Sequence, residues 1–295
     1  MRTYKPDYII FSAIALTTIS VIALAINHFF YQFPGNNYYP TNTLLAALSL
    51  GLIYTGFYLQ LGRTSKLTLI SKDALYFFLV MALLAQATNA AQYTPFPIID
   101  KYILAFEALL HIDMEAIMDW THAHPLLKNY LAFAYDSLPY QMAYIPLIFI
   151  ATGKFHLLRE YYFLLLSSAL IAFSFYYFFP TTAPASMINS DYFSIAQKAT
   201  GLKFTQIHQH IQPTTINGGM IAMPSLHAIW AWFCLHLLRG WPIAFVLLLP
   251  LNILLVASCV LLGWHYTLDL LGSILTILIC HRLNLLRIAL QGRNS

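Results

Sequence analysis

The sequence predicts an all-α polytopic membrane protein, a helical bundle of about eight transmembrane helices. Three observations carry this. The 295 residues are 59% hydrophobic and only 9% charged, a balance that soluble globular domains do not show. The apolar residues gather in runs of about 20, the helix length that crosses a bilayer core. Aromatic residues make up 16% of the chain, which suits interfacial belts and packed helix contacts. The net charge of +4 is small, and no nucleic-acid patch or nucleotide-binding glycine-rich loop is present, so nucleic acid is not expected as a partner. Cys234, Cys259 and Cys280 all fall within apolar stretches, which argues against a disulfide framework or a cysteine metal site.

The first apolar run covers 8–30, after Arg2 and Lys5. Ala23-Leu24-Ala25 imitates a signal-peptidase site, but the run continues past it to Phe30 and Tyr31, so a retained helix is expected. Residues 42–62 and about 74–93 form the second and third spans, with Arg63, Lys66 and Lys72 between them. Residues 94–128 differ. There Ile99, Ile103, Phe106, Leu110 and Met114 alternate helically with Asp100, Lys101, Glu107 and Asp113. That pattern predicts one or two amphipathic helices on the membrane surface, which wall a site, receive lipid or simply connect.

The fourth span, 129–151, contains Asp136, which should face protein or a water-filled cavity rather than lipid. The fifth covers 156–179. A long polar segment at 181–221 reads as a lid or head-group reader, with Lys203, His208 and His210 as candidate contacts. Spans at 222–238, 242–263 and 264–286 complete the chain. A single membrane domain over 1–295 is expected, in which 1–69 supplies extra N-terminal helices.

Charge sets the expected orientation. With the N-terminus inside, the inner side receives Arg2, Lys5, Arg63, Lys66, Lys72, Lys154, Arg159, Arg239, Arg282, Arg287 and Arg293, eleven of the fifteen basic residues. The positive-inside rule therefore puts both termini in the cytoplasm.

The chemistry concentrates in Met223-Pro224-Ser225-Leu226-His227 and Gly263-Trp264-His265-Tyr266-Thr267-Leu268-Asp269, each at the start of an apolar stretch. Crossing down, up and down again returns His227 and His265 to one membrane face, the periplasmic or luminal one in the orientation above. His265 and Asp269 are four apart and share a helix face. A carboxylate beside one imidazole nitrogen fixes the tautomer and leaves the other nitrogen free as nucleophile or base. Pro224 suits a first helical position, which would leave the N–H groups of Ser225, Leu226 and His227 as an anion site.

Two histidines, one carboxylate and an anion cradle point to phosphoryl transfer. Taken singly, each histidine reads more readily as an interfacial, solvated residue, as His28, His236 and His281 are expected to be. A zinc site is the other sharp reading, but it lacks an obvious third ligand. ATP is scarce outside the cytoplasm, which argues against a kinase and favours a donor already in the bilayer.

Pro-Ser-x-His followed by Gly-x-His-Tyr-x-x-Asp resembles the type-2 phosphatidic acid phosphatase superfamily. The Pro-Ser-Leu-His form looks most like its inositol phosphorylceramide synthase branch, and His-Tyr-Thr-x-Asp is also similar to sphingomyelin synthases. The resemblance implies a six-helix lipid-phosphatase-like core over roughly 70–287 and a mechanism without metal or other cofactor, through a phosphohistidine. In it His265 matches the nucleophile, Asp269 its orienting carboxylate, His227 the acid that protonates the leaving oxygen, and Ser225 a phosphate contact.

Two departures bear on the substrate. Phosphatases of that family usually carry an arginine six residues before the nucleophile, where this chain has Cys259. Their upstream Lys-x6-Arg-Pro motif is absent too, its counterpart being Phe179-Pro180-Thr181-Thr182-Ala183-Pro184. A dianionic monoester needs strong cationic hydrogen bonds, and a monoanionic diester needs fewer. The losses predict an integral-membrane phosphoesterase or head-group phosphotransferase acting on a lipid phosphodiester. The alternative they keep open is a membrane lipid-binding or transport protein that has lost catalysis.

Overall fold

The computed structural model describes residues 7–293, with side chains for 7–290. Among these, the regular structure is helical throughout. Helix α1 (Tyr8–Ile26) is capped by Asp7, whose Oδ1 accepts the Ile9 N–H at 3.1 Å. It continues as a π-turn through Asn27–Tyr31. Helix α2 (Thr43–Leu61) has no buried residue and leans chiefly on α3 (Lys66–Ala91). α3 starts eight residues earlier than the apolar run suggests, because Ser65 is extended and the polar turn after it is already helical. Two short helices follow, α4 (Asp100–Leu109) and α5 (Met114–His122).

The fourth span is broken. α6 (Pro125–Asp136) and α7 (Leu138–Thr152) meet at Ser137, next to Pro139. Proline lacks an N–H and crowds the preceding turn, so the ladder stops there. The Ser137 hydroxyl donates to the Ala134 carbonyl at 2.6 Å and accepts from Gln141 Nε2 at 3.0 Å. Asp136 lies at this break and is exposed.

α8 (Phe155–Phe178) is the axis of the bundle and packs against α1, α3, α7, α10 and α12. Tyr161, Tyr162, Leu165, Leu166, Ala169 and Tyr176 on it are all fully enclosed, so helix-on-helix packing rather than contact with lipid holds it.

The segment expected as an open loop at 181–221 contains α9 (Ile195–His208), opened by a capping box between Ser194 and Gln197. Gln197 Nε2 also donates to the Leu262 carbonyl at 2.7 Å, which fastens α9 to the last helices. These are α10 (Leu226–Leu237), α11 (Pro242–Leu261) and α12 (Thr267–Arg293). Six helices, α1, α2, α3, α8, α11 and α12, are long and apolar enough to cross a membrane. At the two remaining expected spans stand the shorter α7 and α10, with 15 and 12 residues.

His236 and His281 are not merely solvated. His236 Nε2 lies 3.0 Å from Glu160 Oε1, and His281 Nε2 accepts from Trp232 Nε1 at 2.9 Å, which links α8, α10 and α12 at the end away from the site.

Candidate active site

α10 and α12 run parallel with α11 returning between them, so the two motif-bearing starts meet. The Ser273 hydroxyl stitches them together, 3.1 Å from the Ser225 carbonyl and 2.8 Å from that of Asp269.

Each start has its own local logic. Ser225, not Pro224, begins α10: it is the N-cap, its Oγ accepts the Ala228 N–H at 3.4 Å, and Pro224 lies outside the helix. The free N–H groups of the first turn are therefore those of Leu226 and His227. α11 ends at Gly263, whose φ of +73° lies in the left-handed region. A Cβ there would come within 2.7 Å of Met118 Sδ and 2.8 Å of Phe193 Cε1. This tight turn lets the His265 N–H reach the Cys259 carbonyl at 2.8 Å. Gly263→Ala is expected to cost about 1–3 kcal/mol from the backbone conformation alone, read as a lowered thermal midpoint in detergent.

α12 begins at Thr267, so His265 and Tyr266 precede it. The Asp269 carboxylate turns back from the first turn to accept the Tyr266 N–H through Oδ2 at 2.9 Å. That same oxygen lies 3.3 Å from His265 Nδ1, and the Ala222 carbonyl lies 2.9 Å from it. Both neighbours of Nδ1 only accept, so Nδ1 carries the proton and Nε2 presents its lone pair. The Ser225 hydroxyl, 3.0 Å away, donates to Nε2. His265 is 4% exposed and Asp269 is fully enclosed.

His227 belongs to the same group, with its ring centroid 6.3 Å from that of His265. Its ring lies flat on Tyr135 at 4.2 Å, and Tyr135 also stacks on Trp264 at 4.7 Å. No motif in the sequence marked Tyr135. Cys259 Sγ lies 3.9 Å from Ser225 Oγ, so the position that differs from the phosphatase pattern faces the site.

Among the described residues, none of the candidate head-group contacts is hydrogen-bonded to Ser225, His227, His265 or Asp269. Lys203 is 1% exposed and donates to the carbonyls of Gly218 and Gly219 at 3.3 and 3.2 Å, with Nζ 5.8 Å from the Tyr38 ring centre. Burial pulls its ammonium down to about 8. It braces the segment that leads into Ala222. His208 and His210 pack on Phe33, with ring centroids 5.0 and 5.2 Å away.

Acidic groups surround the site instead. The Asp100 carboxylate accepts the Tyr266 hydroxyl at 3.1 Å and the Thr182 N–H at 3.0 Å to each oxygen. Glu107 Oε1 accepts the Leu268 N–H at 3.0 Å and so caps α12. Burial raises both carboxyls, that of Asp100 to about 6. Sequence periodicity places these residues in amphipathic helices on the membrane surface. They point into the bundle, and Tyr102, Phe106, Leu109 and Leu110 are exposed instead. A cleft of about 780 Å³ reaches Glu107 and another of about 430 Å³ reaches Thr182.

Two histidines and a buried carboxylate, gathered at one end of a helical bundle with membrane-length helices, define a membrane protein of phosphatase type. The chain belongs to the PAP2 superfamily, whose family model matches residues 101–283. Neither a curated protein nor a solved structure matches it.

Proposed function

We propose that this protein transfers or hydrolyses the phosphoryl-linked head group of a membrane lipid, through a phosphohistidine on His265. The observation that carries the reading is the fixed tautomer. Nδ1 is held by Ala222 and Asp269, and the lone pair of Nε2 is aimed at Ser225 and the start of α10. In the reaction a phosphate oxygen replaces Nε2 as the acceptor of the Ser225 hydroxyl, and the N–H groups of Leu226 and His227 receive the other charge. Nε2 attacks phosphorus as the ester P–O bond breaks, and His227 gives its proton to the departing alkoxide. Water or a second lipid alcohol then attacks phosphorus, His227 takes its proton, and the N–P bond breaks.

The substrate we infer is a phosphodiester, as in the inositol phosphorylceramide synthase-like branch. Among the described residues, no hydrogen bond joins a lysine or arginine to Ser225, His227, His265 or Asp269. The basic residues of the sequence favour both termini in the cytoplasm and the site on the periplasmic or luminal side.

The reading assigns the histidines to covalent and acid–base work rather than to metal ligation. Activity is therefore expected to survive EDTA and to need no added divalent ion. The assay is head-group release from labelled phospholipid by protein whose metal content has been measured. Stoichiometric zinc whose removal abolishes turnover would overturn the assignment.

A further inference from the structure

We propose that Asp100 is a positioning residue for the His265 imidazole, acting through the Tyr266 hydroxyl. The proposal rests on the reading of His265 as nucleophile, and it adds a group outside both motifs.

The connection is continuous. Asp100 Oδ1 accepts the Tyr266 hydroxyl at 3.1 Å, the Tyr266 N–H donates to Asp269 Oδ2 at 2.9 Å, and that oxygen faces His265 Nδ1 at 3.3 Å. Tyr266 is thus gripped at both ends, by one carboxylate at its side chain and by another at its backbone. Asp100 and Tyr266 are both fully enclosed, so water does not compete for these bonds.

Asp100 reaches a second strand of the same framework. It accepts the Thr182 N–H, and the neighbouring Thr181 Oγ1 accepts the Met223 N–H at 2.8 Å, one residue from the Ala222 carbonyl that holds Nδ1. Thr181 and Thr182 stand in the segment where the phosphatase pattern carries its lysine and arginine. Here that segment is fastened to an acid instead, and α4 supplies the acid from a buried side that it shares with Ile103 and Glu107. An anion at this place serves geometry. It contributes no attraction for phosphate, which fits a substrate of low charge.

Tyr266→Phe deletes the link and keeps the packing. It is expected to lower kcat about 10-fold, the size of one charge-assisted hydrogen bond, with KM unchanged because no substrate contact is lost. Asp100→Asn is expected to lower kcat at least as much, since its amide also meets the Thr182 N–H. Introduced into Tyr266→Phe, Asp100→Asn should lower kcat less than it does alone, the signature of two residues acting through one connection. Equal effects in both backgrounds, or native kcat in Tyr266→Phe, would overturn the proposal.

A second readout does not depend on turnover. Carbethoxylation of His265 by diethyl pyrocarbonate, followed by mass spectrometry, should be faster in Tyr266→Phe and in Asp100→Asn as the ring loosens, and no faster in the double variant than in Asp100→Asn. Unchanged modification rates would contradict the positioning role. If His265→Ala keeps full turnover, the nucleophile reading fails, and the modification rates alone then decide whether Asp100 orients this ring.

Discussion

Replacing His265 by alanine is expected to abolish both turnover and phosphoenzyme formation while the bundle stays folded. The imidazole sits at the end of the bundle, outside its main apolar core. Its bonds to Ala222 and Ser225 are local to the two helix starts. His227→Ala should behave differently. General acid help is worth about 10²–10⁴-fold, and the loss should be largest with an alkoxide leaving group. An activated aryl phosphodiester, whose leaving group needs no proton, should recover part of it. The check is kcat/KM for both leaving groups in both variants. Equal losses for the two in His227→Ala would remove the acid role and leave His227 as a packing partner of Tyr135.

The second large effect concerns Cys259. Its thiol is fully enclosed, donates to the Leu255 carbonyl at 3.5 Å and lies beside Ser225. The phosphatase pattern has an arginine at this position. One charge-assisted contact contributes about 1.5–3 kcal/mol, or roughly 10- to 100-fold in rate. Its absence weighs more on a dianionic monoester than on a monoanionic diester. The native protein should therefore prefer a phosphodiester lipid to phosphatidic acid, and Cys259→Arg should shift the ratio of the two kcat/KM values toward the monoester. The guanidinium must displace packed atoms, so the thermal midpoint is compared first, with Cys259→Ser as a variant of similar size that keeps the native ratio. A native preference for phosphatidic acid would mean that another group already supplies the clamp.

Much of the site was legible because its geometry is local. Four-residue spacing keeps Asp269 within reach of His265, although His265 precedes α12 and the carboxylate turns back to it rather than sharing a helix face, and alternating spans bring α10 and α12 to one end. What was not legible depends on tertiary packing. The periodicity of α4 separates apolar from charged residues but does not say which side faces the bundle, so Asp100 and Glu107 read as residues of a membrane-surface helix. Lys203, His208 and His210 were candidates by their place in a polar segment. In the fold Lys203 braces two carbonyls and both histidines pack on Phe33 from the N-terminal part of the chain, partners that the sequence did not show. Two signals were present and outweighed by composition. Ser194-Ile195-Ala196-Gln197 is a capping box that announces α9, and Pro139 marks the break between α6 and α7.

The central claim is that His265 Nε2 carries the phosphoryl group. The direct measurement is to quench the purified protein during turnover of a phospholipid labelled at phosphorus and to map the label by mass spectrometry. The account predicts acid-labile, base-stable label on His265, absent from His265→Ala. Label on another residue, or turnover by His265→Ala at the native rate, would contradict it.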